Sequence, residues 1–152
     1  IAVIVPKDHP FVHKEEIQPE DLLGERIIMR ERTSGTRKVV LSELAQHDIS
    51  LEDLNIFMQI GNAESIVRTV AAGYGISFVS KLAAGCALDR GNVVAVPIKG
   101  LNLVRTIYMV RKRLALSNRP QDAFWGFVHD PSNQDLIDLA GRGDLSYSIK
   151  DI

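Results

Sequence analysis

Apolar residues fall along this chain in short continuous runs and in helical stripes, and the two kinds alternate. Ile1-Ala2-Val3-Ile4-Val5 is an unbroken apolar run stopped by Pro6, which predicts a buried strand over 1–5. Residues 7–19 are mostly polar and read as a loop containing His9-Pro10. Pro19-Glu20-Asp21-Leu22-Leu23-Gly24 opens on a proline, carries early acids and closes on glycine, which predicts a turn or two of helix. A second strand follows over 25–29. The spacing of Val40, Leu41, Leu44 and Ala45 predicts a helix over 35–47 with those residues on one face. Residues 54–60 read as a third strand. A helix over 62–72 is capped by Asn62, has Glu64 in its first turn and carries the stripe Ile66, Val67, Val70, Ala71. Gly73-Tyr74-Gly75 ends it. A short buried strand over 76–79 leads to Ser80, which caps a helix running to 89, and Gly91-Asn92 turns into a strand over 93–96. Residues 103–110 read as a further strand and 117–128 as a helix with Ala123, Phe124, Phe127 and Val128 facing inward. From Asp130 the pattern fails, so 129–152 is expected to be a weakly ordered tail, with room for a short helix over 136–140.

Strands and helices in alternation argue for an α/β fold, with a largely parallel sheet and helices on both faces. The bulk properties narrow the function. Hydrophobic residues make up 45% and charged residues 24% of 152, and the formal net charge is -1. That balance suits one globular domain and gives no general attraction to nucleic acid or anionic lipid. No apolar run approaches the length of a membrane span. The single cysteine, Cys86, lies in the apolar stretch 82–88 and is expected to be a small buried hydrophobe rather than a reactive thiol. One cysteine allows no intrachain disulfide, which fits a reducing compartment. Because the chain opens inside a hydrophobic run, the N-terminal part of a larger protein is expected to precede it.

Candidate chemistry centres on RERTSGTR, residues 30–37, between the second strand and the helix that follows. In open α/β sheets ligands bind beyond the carboxyl ends of strands, where helices begin. First-turn N–H groups lack partners there, and the helix dipole favours negative charge. Gly35 lets the backbone approach a ligand, Ser34 and Thr36 each offer a hydroxyl, and Arg37 or Arg32 offers a charged fork. A carboxylate, sulfate or phosphate suits such a turn. The plainer reading is that Ser34 or Thr36 caps the helix and Arg37 is solvated, and chemistry alone favours it. Gly61-Asn62 is a second strand-to-helix turn that opens on the same side, again with a plain cap as the simpler reading. Gly73-Tyr74-Gly75 follows a helix and precedes a strand, the wrong order for a dinucleotide loop, so it reads as a helix stop with tight helix–sheet packing. His9, His13, His47 and His129 have no metal-ligand spacing, Ser34 lies in no nucleophile elbow, and Glu15-Glu16 and Glu20-Asp21 read as solvated faces. These features favour a binding module without a cofactor over an enzyme.

The ordered set Pro6-Lys7-Asp8-His9-Pro10, Asp21-Leu22-Leu23-Gly24, 30–37 and Val70-Ala71-Ala72-Gly73-Tyr74-Gly75-Ile76 resembles the effector-binding domain of LysR-type transcriptional regulators over residues 1–128. The Arg-Glu-x-x-Ser-Gly-Thr-Arg form is most similar to the branch of carbon-fixation and sulfur-assimilation regulators. The resemblance implies a type 2 periplasmic-binding-protein-like fold, with one subdomain nearly complete over 6–96 and the other partial. Residues 1–5 and 101–128 would be the crossing strands and the return to the first subdomain. It implies a small anionic effector held by Thr33, Ser34, Gly35, Thr36, Gly61 and Asn62, and it raises that reading above capping. It further implies promoter DNA bound only through a missing N-terminal helix-turn-helix domain, a homo-oligomer (dimer or tetramer) and a cytoplasmic location away from membranes. A solute-binding component of a transporter, with the same fold, is the alternative.

Overall fold

The computed structural model describes residues 1–111 and 119–142. The chain forms two compact units, Ile1–Arg105 and Thr106–Ile152.

The first unit is built on a five-stranded sheet of order β3-β2-β4-β1-β5. The strands are β1 (Ala2–Pro6), β2 (Ile27–Arg30), β3 (Ile56–Ile60), β4 (Ile76–Val79) and β5 (Val93–Val96). β2 pairs in parallel with both β3 and β4. β1 lies between β4 and β5 and pairs antiparallel with each. The sheet is therefore mixed: β5 runs with β2, β3 and β4, and β1 opposes them all. The nearly continuous apolar strands fit burial on both faces.

Three helices cover that sheet: α1 (Gly35–Ala45), α2 (Ala63–Ala71) and α3 (Lys81–Asp89). Side-chain alternation sends Val3 and Val5 to one face and Ile4 to the other. On the first face they join Ile27, Met29, Phe78 and, from α1, Val40 and Leu44. On the second, Ile4, Ile28 and Val79 meet Ile66, Val67 and Val70 of α2 and Ala84 of α3. Each such buried aliphatic side chain contributes about 1.5–3 kcal/mol of transfer free energy. Ser77 is the one buried polar residue of β4, and its hydroxyl donates to the Ile28 carbonyl at 2.5 Å. Two 3-10 turns, Pro10–His13 and Pro19–Gly24, lie in the segment predicted as loop and short helix. They add Phe11 and Leu22 to the first core.

Several expectations need correction. Cys86 is exposed. Ala84 points into the core, and two residues further along a helix the side chain has turned by about 200°. The close approach at Gly75 is to the backbone of Arg26 just before β2, not to a helix. Residues 103–110 form no strand. Leu103 is buried, its carbonyl accepting from the Ile1 amino group at 2.8 Å, but Val104, Ile107, Tyr108 and Val110 are exposed. An apolar run becomes a strand only with a ladder partner, and among the described residues this run has none.

The second unit contains α4 (Arg119–His129), a 3-10 turn at Pro131–Asn133 and α5 (Gln134–Arg142). Phe124 and Phe127 are exposed, as is Ala123, contrary to the inward face expected for them. Trp125 is half-buried, stacked on His129 with ring centroids 4.5 Å apart and with the Arg111 guanidinium 4.8 Å from its ring. The predicted tail contains a nine-residue helix, α5. Asp130 and Pro131, which look like a helix stop, instead start the turn that leads into it: Asp130 Oδ1 accepts from the Ser132 N–H at 2.9 Å. Residues 117–118 of the predicted last helix and 143–152 of the predicted tail lie outside the described residues.

Candidate functional site

Parallel pairing of β2 with β3 and β4 brings the starts of α1, α2 and α3 to one edge of the sheet. Each helix follows directly on the carboxyl end of its strand. The turns at 31–34 and 61–62 are neighbours: a Cβ on Gly61 would lie 4.0 Å from Glu31 Oε2.

The predicted residues divide by role. Ser34 is buried, and its Oγ accepts from the Arg37 N–H at 3.4 Å as the N-cap of α1. Asn62 is exposed, and its Oδ1 accepts from the Ser65 N–H at 2.9 Å as the N-cap of α2. Capping is therefore present at both turns. It leaves the Ser34 hydroxyl proton and the Asn62 amide NH2 group as donors. Thr36 is buried, whereas Thr33 and Gly61 are exposed and Gly35 is half-buried. The N–H groups of Gly35 and Thr36, and of Ala63 and Glu64, have no acceptor among the described residues. These are the unsatisfied first-turn donors that make a helix start attractive to an anion.

The arginines are arranged differently from the sequence expectation. Arg37 is buried rather than solvated, and its NH1 donates back to the Arg30 carbonyl at 3.0 Å. It ties the start of α1 to the end of β2. Arg30 grips Glu31 through two bonds, Nε to Oε2 at 2.8 Å and NH2 to Oε1 at 3.0 Å. That hydrogen bonding holds the Glu31 carboxyl below its usual pKa, so the acid at this edge is ionised and already partnered. The fork over the turn belongs to Arg105, whose NH1 donates to Thr36 Oγ1 at 3.4 Å. A Cβ added to Gly35 would sit 3.5 Å from the Arg105 side chain, so the glycine makes room for it.

A largely apolar cavity of about 420 Å³, lined by none of the predicted turn residues, lies among Ile1, Val3, Val96, Leu103 and Val104, with Lys81 from the start of α3. Lys81 and Arg105 are both near enough to Ile1 to act on it electrostatically. Both cations therefore act on the same end of the sheet. Arg105 was missed from sequence because it lies in no strand-to-helix turn, and Lys81 because the turn at Ser80 was read as a plain helix start.

An α/β sheet with helix starts and hydroxyl-bearing turns at its carboxyl edge defines a small-molecule-binding domain. The LysR substrate binding domain model matches residues 1–131, and the chain belongs to that family. An uncharacterized HTH-type transcriptional regulator of Methanocaldococcus jannaschii is 37% identical over 128 residues, covering 84% of this chain and 43% of that protein. A probable RuBisCO transcriptional regulator of Trichormus variabilis is 31% identical over 147 residues, covering 93% of this chain and 44% of that one. Among solved structures, the CcmR regulatory domain of Synechocystis PCC6803 in complex with 2-PG is similar, with a TM-score of 0.56 and 30% identity. That match covers 66% of this chain and 47% of the CcmR chain. The architecture is the type 2 periplasmic-binding-protein-like fold of LysR effector domains. The chain spans under half the length of these relatives. No helix among the described residues is long and apolar enough to cross a membrane.

Proposed function

We propose that this chain is the effector-sensing part of a LysR-type transcriptional regulator, and that its effector is a small anion. Thr33, Ser34, Gly35 and Thr36, with Gly61 and Asn62, are the proposed contacts. The observation that carries the reading is the set of unpartnered N–H groups on α1 and α2, side by side on one edge beneath an arginine. It is supported by the regulator names of the curated relatives and by the 2-PG complex of the CcmR domain. Those names also favour a regulator over a transport component or an enzyme. In this reading the division of the chain is a partial effector domain over 1–128, with 6–96 as the second subdomain. Promoter DNA is bound by a helix-turn-helix domain outside these residues, in a cytoplasmic homo-oligomer.

The mechanism is a population shift. An anion that binds one arrangement of the effector domain better than another biases the two by its differential affinity, and no more. The oligomer carries that bias to the promoter.

Isothermal titration of the full-length protein with 2-PG and with inorganic phosphate tests the reading. Thr36→Val keeps the shape of the side chain and removes its hydroxyl. Loss of one hydrogen bond to a charged ligand should weaken binding by about tenfold or more. Unchanged affinity for both probes would remove Thr36 from the site.

A further inference from the structure

We infer that Arg105 is a specificity-determining residue of this site and that it selects a doubly charged oxyanion group over a single carboxylate. The inference rests on the proposed effector reading and goes beyond it, naming a residue distant in sequence from both turns and the charge of the group it would hold.

The argument starts from donor geometry. Arg105 is exposed, and among the described residues one of its N–H groups is engaged, by the Thr36 hydroxyl at 3.4 Å. A guanidinium has five donors in a planar fork, so the fork remains available to a ligand while Thr36 fixes where it stands. Its side chain packs over Gly35, whose N–H is itself unpartnered. Backbone donors and the charged fork thus meet at one point, suited to a group with several oxygens.

Charge balance then sets the class of ligand. The acids at the two turns are already partnered: Glu31 is neutralised by its two bonds from Arg30. Glu64, in the first turn of α2, is bridged by Arg68 at 2.7 Å. Among the described residues, four cations at this edge have no ion-pair partner: Arg32, Arg37, Lys81 and Arg105. The start of α1 adds roughly half a positive charge. One carboxylate leaves most of that field uncompensated, whereas a sulfate or a phosphate dianion answers it and also matches the fork.

The test compares the full-length wild-type protein with Arg105→Gln, Arg105→Lys and Thr36→Val. Affinities are measured at pH 8 for inorganic sulfate and phosphate as dianions and for acetate as a single carboxylate. The wild type should prefer the dianions. Arg105→Gln should lose about 10- to 100-fold in dianion affinity, as expected for a charged hydrogen-bonding partner, and much less for acetate. Arg105→Lys should lose less because the charge stays and only the fork is gone. The ratio of dianion to carboxylate affinity separates selectivity from misfolding, since a structural defect lowers both together. An equal loss for both probes, or a wild type without dianion preference, overturns the inference. Weakening by Thr36→Val with none by Arg105→Gln also overturns it but leaves the effector site standing. No change in any variant removes the site as well.

Discussion

Gly75 stands where the fold leaves no room for a side chain. Its φ is +154°, and a Cβ there would lie 2.3 Å from the Arg26 carbonyl oxygen and 3.2 Å from the Arg26 Cβ. That same carbonyl accepts from the Ile76 N–H at 2.9 Å, so it cannot retreat without opening the first bond between β4 and β2. Gly73, two residues earlier, also has a positive φ, +83°, but a Cβ there meets nothing within 4 Å. The pair forms an internal comparison. Gly73→Ala should cost about 1–2 kcal/mol, the strain of a left-handed residue. Gly75→Ala adds a backbone clash and should cost about 3 kcal/mol or more. Equilibrium urea unfolding of the two variants checks the order; equal losses would mean that strain alone matters. A glycine pair after a helix was visible in the sequence, but the neighbour that makes Gly75 necessary was not, because Arg26 is brought there by the sheet. Arg105 escaped notice for the same reason. It meets Thr36 across 69 residues of sequence, and no local pattern announces that contact. Arg37 misled in the opposite direction: an arginine in a polar turn looks solvated until the strand end beneath it is known to need a donor.

At the scale of elements, local signals were strong wherever the chain carries its own instructions. β4 and β5 have the bounds read from their apolar runs, and Ser34 and Asn62 stand at the N-caps of α1 and α2. Signals failed where an element depends on a partner. Residues 103–110 have the composition of a strand and remain irregular, and α4 has an apolar stripe whose phenylalanines stay exposed. Strand direction was equally hidden: β1 reads like its neighbours, yet it is the one strand that opposes them. The cap of α2 allows its two roles to be separated. Asn62→Asp is nearly isosteric, keeps an oxygen for the Ser65 N–H and adds a negative charge that the helix dipole favours by about 0.3–1 kcal/mol. Stability should therefore hold or rise slightly. An anion at the same turn would now face a fixed like charge, so sulfate affinity should fall by about three- to tenfold, and more at low ionic strength. Calorimetric melting and sulfate titration at two salt concentrations read both effects. A variant that is as stable as the wild type and binds sulfate equally well would show that Asn62 is only a cap.

At the scale of the whole molecule, the distribution of buried side chains decides what holds the fold together. Every hydrophobic side chain among the described residues that is buried lies between Ala2 and Leu103, in the two clusters on either face of the sheet or at their margin. The described side chains of the second unit's helices contribute none. Cooperative unfolding depends on shared burial, so the transition of this chain should belong to the unit Ile1–Arg105. A chain of residues 1–111 should then keep a single cooperative melt. For a domain of this size about 1 kcal/mol corresponds to about 4–8 °C, so a midpoint within about 5 °C of the 152-residue chain is the expected result. The sheet needs β1 for this, since β1 joins β5 to the rest through ladders on both of its sides. Removing residues 1–6 instead should abolish the transition, because β5 would lose its only ladder among the described residues and the two cores would lose Val3, Val5 and Ile4. A broad, non-cooperative melt of residues 1–111 would place essential stability beyond Arg111. The same melt at the wild-type midpoint would put the anion-binding turns, which α1 and α2 carry, on an element that folds by its own core.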